Sequence, residues 1–178
     1  VDPIFRPLPR DLCRKFVKEK YGLKIPYLLY VGGTAPNKNV PRLLKSYEIL
    51  KEKFSEELTL VLATLNETVI HNRDRVDTLP CIYHRDLPYV YSAAEALVFP
   101  SLAEGFGLPP VEAMACGTPV IVSNIPIFHE VLGDAALYVN PFDCKEMAMA
   151  MEHLVDDKNL ACELRLKGLQ RANRYSLD

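Results

Sequence analysis

Hydrophobic residues along the chain follow two alternating spacings. Short apolar runs predict buried β-strands, and they occur at residues 26–33, 58–63, 79–83, 96–99, 119–122 and 137–139. Between them, apolar residues recur every three or four positions, which predicts amphipathic helices. The predicted helices cover residues 12–21, 40–54, 86–94, 111–116, 127–132, 145–155 and 160–173. Residues 66–77 are polar, and their pattern favours neither a strand nor a long helix.

Strands that alternate with helices pair in parallel through right-handed crossovers. The predicted fold is therefore α/β: a Rossmann-like, doubly wound parallel sheet of about six strands. Ligands bind such sheets beyond the carboxyl ends of the strands, where the strand order reverses. One glycine pair, Gly32 with Gly33, ends the first predicted strand, and another, Gly105 with Gly107, follows the fourth. Both loops are thus predicted to lie at the ligand-binding edge.

Composition narrows the class of protein. The 178 residues are 49% hydrophobic and 25% charged, which fits one ordered domain, 1–178, and excludes a disordered chain. A net charge of -2 provides no electrostatic footprint for nucleic acid, so any phosphate must be bound by a local site. Five widely spaced cysteines indicate reduced thiols, and the histidines at 71, 84, 129 and 153 lack metal-ligand spacing. No metal site is predicted.

The segment 104–112 carries the strongest chemical signal. Two carboxylates, Glu104 and Glu112, bracket two glycines and the prolines that mark a helix start. Glycines allow close approach of a ligand to the backbone, and a helix N-terminus favours phosphate. Glu112 is predicted in the first helical turn, where the dipole alone would favour a carboxylate by about 0.3–1 kcal/mol. As ligand contacts, Glu112 would accept hydrogen bonds from a ribose diol and Glu104 would face a sugar.

The loop at 33–39 supplies a cation to the same edge. Lys38 can reach a phosphate as a point charge, and Asn37 or Asn39 is predicted to cap the helix that follows. The loop lacks the P-loop pattern, and neither loop has the G-x-G-x-x-G fingerprint of dinucleotide binding. Kinase and dehydrogenase functions are therefore disfavoured. His84, after the third predicted strand, is a candidate for a base or sugar pocket.

The residues from 100 to 123 closely resemble the donor-binding domain of family 4 retaining glycosyltransferases, one half of the GT-B fold. Their E-x7-E signature corresponds to Glu104 and Glu112, and the similarity extends over the whole chain. The resemblance implies a nucleotide-sugar-dependent transfer of a hexose, with retention, to a glycan, lipid or polysaccharide acceptor. Other GT-B enzymes (an epimerase or a glucan synthase), a non-catalytic nucleotide-sugar-binding module and a Rossmann-like domain without a ligand remain alternatives.

The resemblance also implies residue roles. Glu104 and Lys38 are the catalytic candidates: Glu104 faces the donor sugar, and Lys38 neutralises the diphosphate leaving group without a metal. Glu112 binds the ribose. The remaining donor contacts are Gly32, Gly33, Tyr83, His84 and the amides of Gly105, Phe106, Gly107 and Leu108, with the base near Tyr83 and His84.

Three departures from the family pattern leave the nucleobase open. Many members have an arginine, a second cation, at the position of Gly33. Thr64 replaces a common glycine, and Pro80 stands at a position where a glycine is frequent. The donor is expected to be a UDP- or GDP-linked sugar, with no other cofactor. Residues 1–8 resemble the hinge that enters this domain, so an N-terminal acceptor domain is expected outside the chain. The isolated domain is then expected to be inactive, and the full-length protein to work in the cytoplasm, at the cytoplasmic face of a membrane.

Overall fold

A parallel β-sheet organises the computed structural model, which describes residues 1–53, 58–64 and 74–175. In these ranges the sheet has six strands: β1 Tyr27–Val31, β2 Thr59–Ala63, β3 Val76–Leu79, β4 Ala96–Phe99, β5 Val120–Ser123 and β6 Leu137–Val139. Their order is β3-β2-β1-β4-β5-β6. This is the strand order of doubly wound nucleotide-binding sheets, and it reverses between β1 and β4. The predicted Rossmann-like α/β fold is confirmed.

Helices cover the sheet in two groups. The α-helices in the described ranges are α1 Arg10–Tyr21, α2 Val40–Lys53, α3 Leu87–Ala93, α4 Leu108–Ala115, α5 Pro126–Leu132, α6 Cys144–Asp156 and α7 Lys158–Ala172. Helix α2 packs against α6, whereas α1 packs on α3, α3 contacts α4, and α4 packs on α7. Because helices cover the strands, β1, β2, β4 and β5 are almost entirely buried. Double-sided burial explains why these strands are continuous apolar runs.

The third strand is the main error in the sequence-based assignment. It was predicted at 79–83, but the structure places it at Val76–Leu79, paired with β2 from Leu60↔Val76 to Ala63↔Leu79. As an edge strand it has a single neighbour, and only Leu79 is buried. The strand therefore lacks the apolar run by which the others were recognised. Residues 65–73 and Phe54, the last residue of the predicted second helix, lie outside the described residues.

Two predictions about helix N-termini need correction. Asp86 occupies the N-cap position of α3, as predicted, but its side chain makes no cap bond; the carboxylate instead accepts hydrogen bonds from Lys20 Nζ at 2.6 Å and Tyr21 Oη at 2.7 Å. Helix α4 starts at Leu108, three residues earlier than predicted, with proline in its first turn. Glu112 consequently lies in the second turn of α4, which corrects its predicted place in the first.

Candidate functional site

The two glycine-bearing loops lie side by side, as predicted, where the strand order reverses. One follows β1 and the other follows β4, the neighbouring strand. They are joined directly: Leu102 N donates to Asn37 O at 2.7 Å, and Asn37 Nδ2 donates to Ala103 O at 3.2 Å. The reversal point is where a doubly wound sheet leaves a crevice for ligands.

Asn39 ties three loops of this edge together. Its backbone is left-handed, with φ 60°, and its side chain is buried. The Nδ2 group donates to Pro100 O at 3.0 Å and to Pro141 O at 2.8 Å, while Oδ1 accepts from Arg42 at 3.0 Å. The side chain therefore holds the loops that follow β4 and β6, a role different from the helix cap that was predicted.

Lys38 and Glu104, the two predicted catalytic residues, form an ion pair across the two loops. Lys38 Nζ lies 2.6 Å from Glu104 Oε1, and the two side chains are only 23% and 12% exposed. The ammonium also lies 5.3 Å from the centre of the Phe99 ring at the end of β4. Partial burial strengthens this pair relative to one in water. The arrangement presents one cation and one carboxylate at the centre of the edge.

The first loop lies tightly over Tyr30. Tyr30 Oη donates to Gly33 O at 2.6 Å. Gly32 has φ 153°, and a Cβ atom there would come within 2.9 Å of Tyr30 Oη. Burial, and secondarily the Glu104 carboxylate, raise the pKa of Tyr30, so the phenol stays protonated and keeps donating to the loop. Glycine at position 32 follows from this close approach.

The second glycine loop ends at Gly107, directly before the first residue of α4. Gly107 has φ 91°, and a Cβ there would lie 2.6 Å from Phe128. Pro109 and Pro110 have no N–H, so Leu108 and Val111 supply the donors among the first four residues of α4. Phe106 is held edge-on by Tyr175, with ring centroids 5.3 Å apart.

Glu112 is held by a buried tyrosine. Tyr91 Oη donates to Glu112 Oε2 at 2.9 Å. Burial raises the pKa of Glu112, and the Tyr91 hydrogen bond and the charge of His84 partly oppose that rise. Because Glu112 lies in the second turn of α4, the helix start alone does not account for a carboxylate at this position.

A cavity of about 510 Å³ opens beside the first loop. Most of its lining lies at or just beyond the carboxyl ends of β1, β2 and β3, and Leu87 at the start of α3 completes it. The strand-end residues are Val31, Gly32, Gly33, Ala63, Thr64, Leu79, Pro80 and Ile82. Tyr83 and His84, the predicted base contacts, do not line it. Tyr83 is 61% exposed, with Lys20 and Arg85 over its ring, and His84 packs edge-on against Phe5. The apolar walls of this cavity could not be predicted, because β3 ends at Leu79 and not at the predicted residue 83.

Nothing in the described part of the chain forms a cluster of three or more metal-ligating side chains. His129 Nε2 lies 2.6 Å from Asn124 Oδ1, and its ring stacks on Tyr138. His71 lies outside the described residues. Across the same ranges, no helix combines the length and apolarity needed to cross a membrane.

Comparison with known proteins places these features in a family. The profile described as "Glycosyl transferases group 1" matches residues 14–171. The chain is 40% identical over 154 residues to the O-antigen chain mannosyltransferase RfbU of Salmonella typhimurium, covering 81% of this chain and 41% of that protein. It is 33% identical over 171 residues to the O-antigen chain mannosyltransferase B of Escherichia coli, covering 90% and 45%. The chain thus spans less than half the length of either relative.

A solved structure supports the fold over the full chain. The C-terminal domain of the group 1 glycosyl transferase LpcC from Francisella tularensis superposes with a TM-score of 0.81 at 21% identity, and the match covers 100% of both chains. The structural neighbours of this chain include glycosyltransferases of the GT-B type, among them the sucrose-phosphate synthase of Thermosynechococcus elongatus, which superposes with a TM-score of 0.76 at 27% identity over 96% of this chain and 45% of that one. The chain therefore belongs to the group 1 glycosyl transferases.

Proposed function

We propose that the chain is the donor-binding half of a retaining hexosyltransferase, which moves a hexose from a UDP- or GDP-linked sugar to a glycan, lipid or polysaccharide acceptor. The two mannosyltransferase relatives favour mannose as the hexose. The observation that carries the proposal is the Lys38–Glu104 pair, which sits between two glycine loops where the strand order reverses.

Lys38 is the diphosphate contact in this proposal. Departure of the nucleoside diphosphate leaves negative charge on its oxygens, and an ammonium already fixed at that place stabilises the charge without reorganising. Lys38 Nζ is anchored between Glu104 and the Phe99 ring, so it is fixed before the ligand arrives. Gly32 and Gly33 on one side, and Gly105 to Leu108 on the other, let the backbone approach the phosphates. Glu104 accepts hydrogen bonds from the donor sugar.

The nucleoside extends from Lys38 across the edge of the sheet. Glu112 is a partly buried carboxylate and accepts hydrogen bonds from the ribose diol. The cavity of about 510 Å³ takes the base, since it adjoins the phosphate loop and has apolar walls. Tyr83 and His84 come directly after Ile82, which lines the cavity, and in this proposal they contact the nucleoside from beside it.

The acceptor binds elsewhere in a longer protein. The chain spans 41% and 45% of its two relatives and matches a solved C-terminal domain over its full length, which supports an acceptor site in a separate N-terminal domain; residues 1–8 are the hinge in this proposal. The isolated chain then binds the donor without transferring sugar. The five free cysteines fit a reducing compartment, and the relatives' role in O-antigen chains fits work at the cytoplasmic face of a membrane.

Calorimetry tests the proposal directly. The chain is titrated with UDP, GDP, UDP-glucose and GDP-mannose, each with and without EDTA, and we expect one nucleotide series to bind equally well in both conditions. Lys38→Met should weaken binding of the diphosphates by about 10–100-fold, while Lys45→Met, an exposed lysine on α2, serves as the matched control. Failure of all four ligands to bind, or sugar transfer by the isolated chain, would overturn the proposal.

A further inference from the structure

Tyr91 is buried completely, yet its hydroxyl reaches the proposed ribose contact. It lies in α3, and its Oη donates to Glu112 Oε2 at 2.9 Å. A carboxylate has two oxygens that accept hydrogen bonds. With Oε2 held by Tyr91, the orientation of Oε1 is fixed as well.

Both ends of this contact are held by their surroundings. Thr118, just beyond α4, donates from Oγ1 to Tyr91 O at 2.7 Å and from its backbone N to Ala113 O at 2.9 Å. Tyr91 is therefore bonded to α4 at Glu112 and to the segment that follows the same helix. Phe5 packs edge-on against the Tyr91 ring, with centroids 6.0 Å apart, and is itself buried. The phenol has little freedom to move away from the carboxylate.

The Tyr91 hydroxyl keeps its proton and donates a hydrogen bond to Glu112 at neutral pH. Burial, and then the neighbouring Glu112 carboxylate, raise the pKa of Tyr91 well above its ordinary value. A phenol that stays protonated cannot serve as a general base there. Its chemical contribution is one fixed hydrogen bond to the carboxylate.

We infer that Tyr91 is a positioning residue, which fixes the Glu112 carboxylate so that its free oxygen meets the ribose hydroxyls of the donor. This inference rests on the proposed function. Without the phenol hydroxyl, the glutamate must lose side-chain freedom each time a nucleotide binds, and preorganisation is lost. The loss is specific to ligands that carry the ribose diol.

A set of paired ligands separates positioning from a structural role. The chain and its Tyr91→Phe variant are titrated with GDP and 2′,3′-dideoxy-GDP, or with the uridine pair if that series binds. We expect Tyr91→Phe to weaken the ribose ligand about three- to tenfold and to leave the dideoxy ligand within about twofold. In a Glu112→Gln background, Tyr91→Phe should have little further effect on the ribose ligand.

Tyr27→Phe provides a matched control. Tyr27 is also fully buried and also donates its hydroxyl to α3, to Val90 O at 2.6 Å, but it does not contact Glu112. The control should lose folding stability as Tyr91→Phe does, yet keep the preference for ribose over dideoxyribose. Urea unfolding shows whether both variants fold.

The outcomes distinguish this inference from the function on which it rests. If the unaltered chain binds no nucleoside diphosphate, the proposed function fails. If it binds and prefers the ribose ligand, but Tyr91→Phe keeps that preference or weakens both ligands equally, only the positioning role is wrong.

Discussion

Lys38 Nζ lies 2.6 Å from Glu104 Oε1, and the two residues come from loops that follow neighbouring parallel strands. Each therefore offsets the charge of the other while no donor is bound. A diphosphate that approaches Lys38 also approaches the Glu104 carboxylate, so the same pair attracts and repels it. Under the proposed function, the sugar of an intact donor would change this balance, because its hydroxyls would donate to the carboxylate.

Glu104→Gln should therefore strengthen binding of a nucleoside diphosphate while removing the advantage of the nucleotide sugar. Loss of one negative charge beside Lys38 is expected to raise the diphosphate affinity about fivefold, or ~1 kcal/mol. The sugar-linked donor loses its charged acceptor and should bind no better than the diphosphate. Calorimetry with both ligands measures the ratio of the two affinities.

The control for this variant is Glu19→Gln. Glu19 also pairs with a lysine, Lys15 at 3.9 Å, but it is 65% exposed and lies on α1. It should change neither affinity. A Glu104→Gln chain that binds diphosphate more weakly than the unaltered chain would contradict the proposed competition for Lys38.

Gly107→Ala should destabilise the second loop, whereas Gly105→Ala should not. A Cβ at position 107 meets Phe128 at 2.6 Å on a backbone with φ 91°, while a Cβ at 105 meets nothing within 4 Å. We expect Gly107→Ala to lower the free energy of unfolding by about 1–3 kcal/mol, and Gly105→Ala to leave it nearly unchanged. Urea denaturation measures both free energies of unfolding. Equal losses in the two variants would contradict a specific role for the close approach of Gly107 to Phe128.

As pH is lowered, nucleotide binding should begin to weaken at a higher pH than the pKa of an ordinary glutamate would predict. Burial raises the pKa of Glu112 above its ordinary value of about 4.3. Under the proposed function the ionised carboxylate is the stronger acceptor for ribose hydroxyls, so we expect the affinity to fall as pH drops through that raised pKa. The effect of Glu112 on folding stability has the opposite sign. Its contribution to the free energy of unfolding is greatest below the pKa that it has in the unfolded chain, and is lost as pH rises through its pKa in the folded chain.

Calorimetric titrations from pH 8 to pH 4 test this dependence. Tyr91→Phe removes a hydrogen bond that favours ionised Glu112, so the fall in affinity should move to higher pH. Glu112→Gln should abolish this component of the pH profile. A profile that is identical in all three chains would exclude Glu112 as the titrating group.

Asp86→Asn should destabilise the packing of α1 against α3. Burial alone would raise the pKa of Asp86, but hydrogen bonds from Lys20 and Tyr21 outweigh it and hold the pKa below its ordinary value. The carboxylate thus stabilises the fold at neutral pH, and this contribution is lost as pH falls below about 3.9 through the folded pKa. We expect a loss of about 1–2 kcal/mol in urea unfolding at pH 7.

Asp134→Asn is the comparison for that measurement. Asp134 also pairs with a lysine, Lys167 at 3.2 Å, but its side chain is 85% exposed. It should leave the unfolding midpoint unchanged, because exposed pairs are screened by solvent. A similar effect of both variants would show that burial is not what makes the Asp86 contact stabilising.

Strands that are buried on both faces could be predicted from the sequence, whereas the half-buried edge strand β3 could not. Strand β4 is buried on both faces, and its predicted bounds, 96–99, coincide with the structure. Strand β3 is an edge strand with three half-buried residues, and Asp77 and Thr78 interrupt its apolar pattern. Its misplacement also hid the cavity, because Leu79 and Pro80 belong to the strand end and its rim.

Contacts between distant loops set a second limit. The pattern of residues placed Lys38 and Glu104 on the same edge, and the structure adds that they touch. Tyr91 was invisible as a partner of Glu112, because a tyrosine in a short apolar helix has the pattern of a core residue. Asn39 was predicted as a helix cap from its local position, but its amide bonds Pro100 and Pro141, 61 and 102 residues away.

The contacts that join the two glycine loops depend on few of the side chains in those loops. The bond from Leu102 N to Asn37 O uses main-chain atoms, and Asn39 reaches the main-chain carbonyls of Pro100 and Pro141. Main-chain atoms are present whatever side chain occupies a position. Substitutions at neighbouring loop residues can therefore accumulate while the distance between the two loops stays constant. Sequences related to this chain can thus differ at the surface of both loops and keep the same backbone frame.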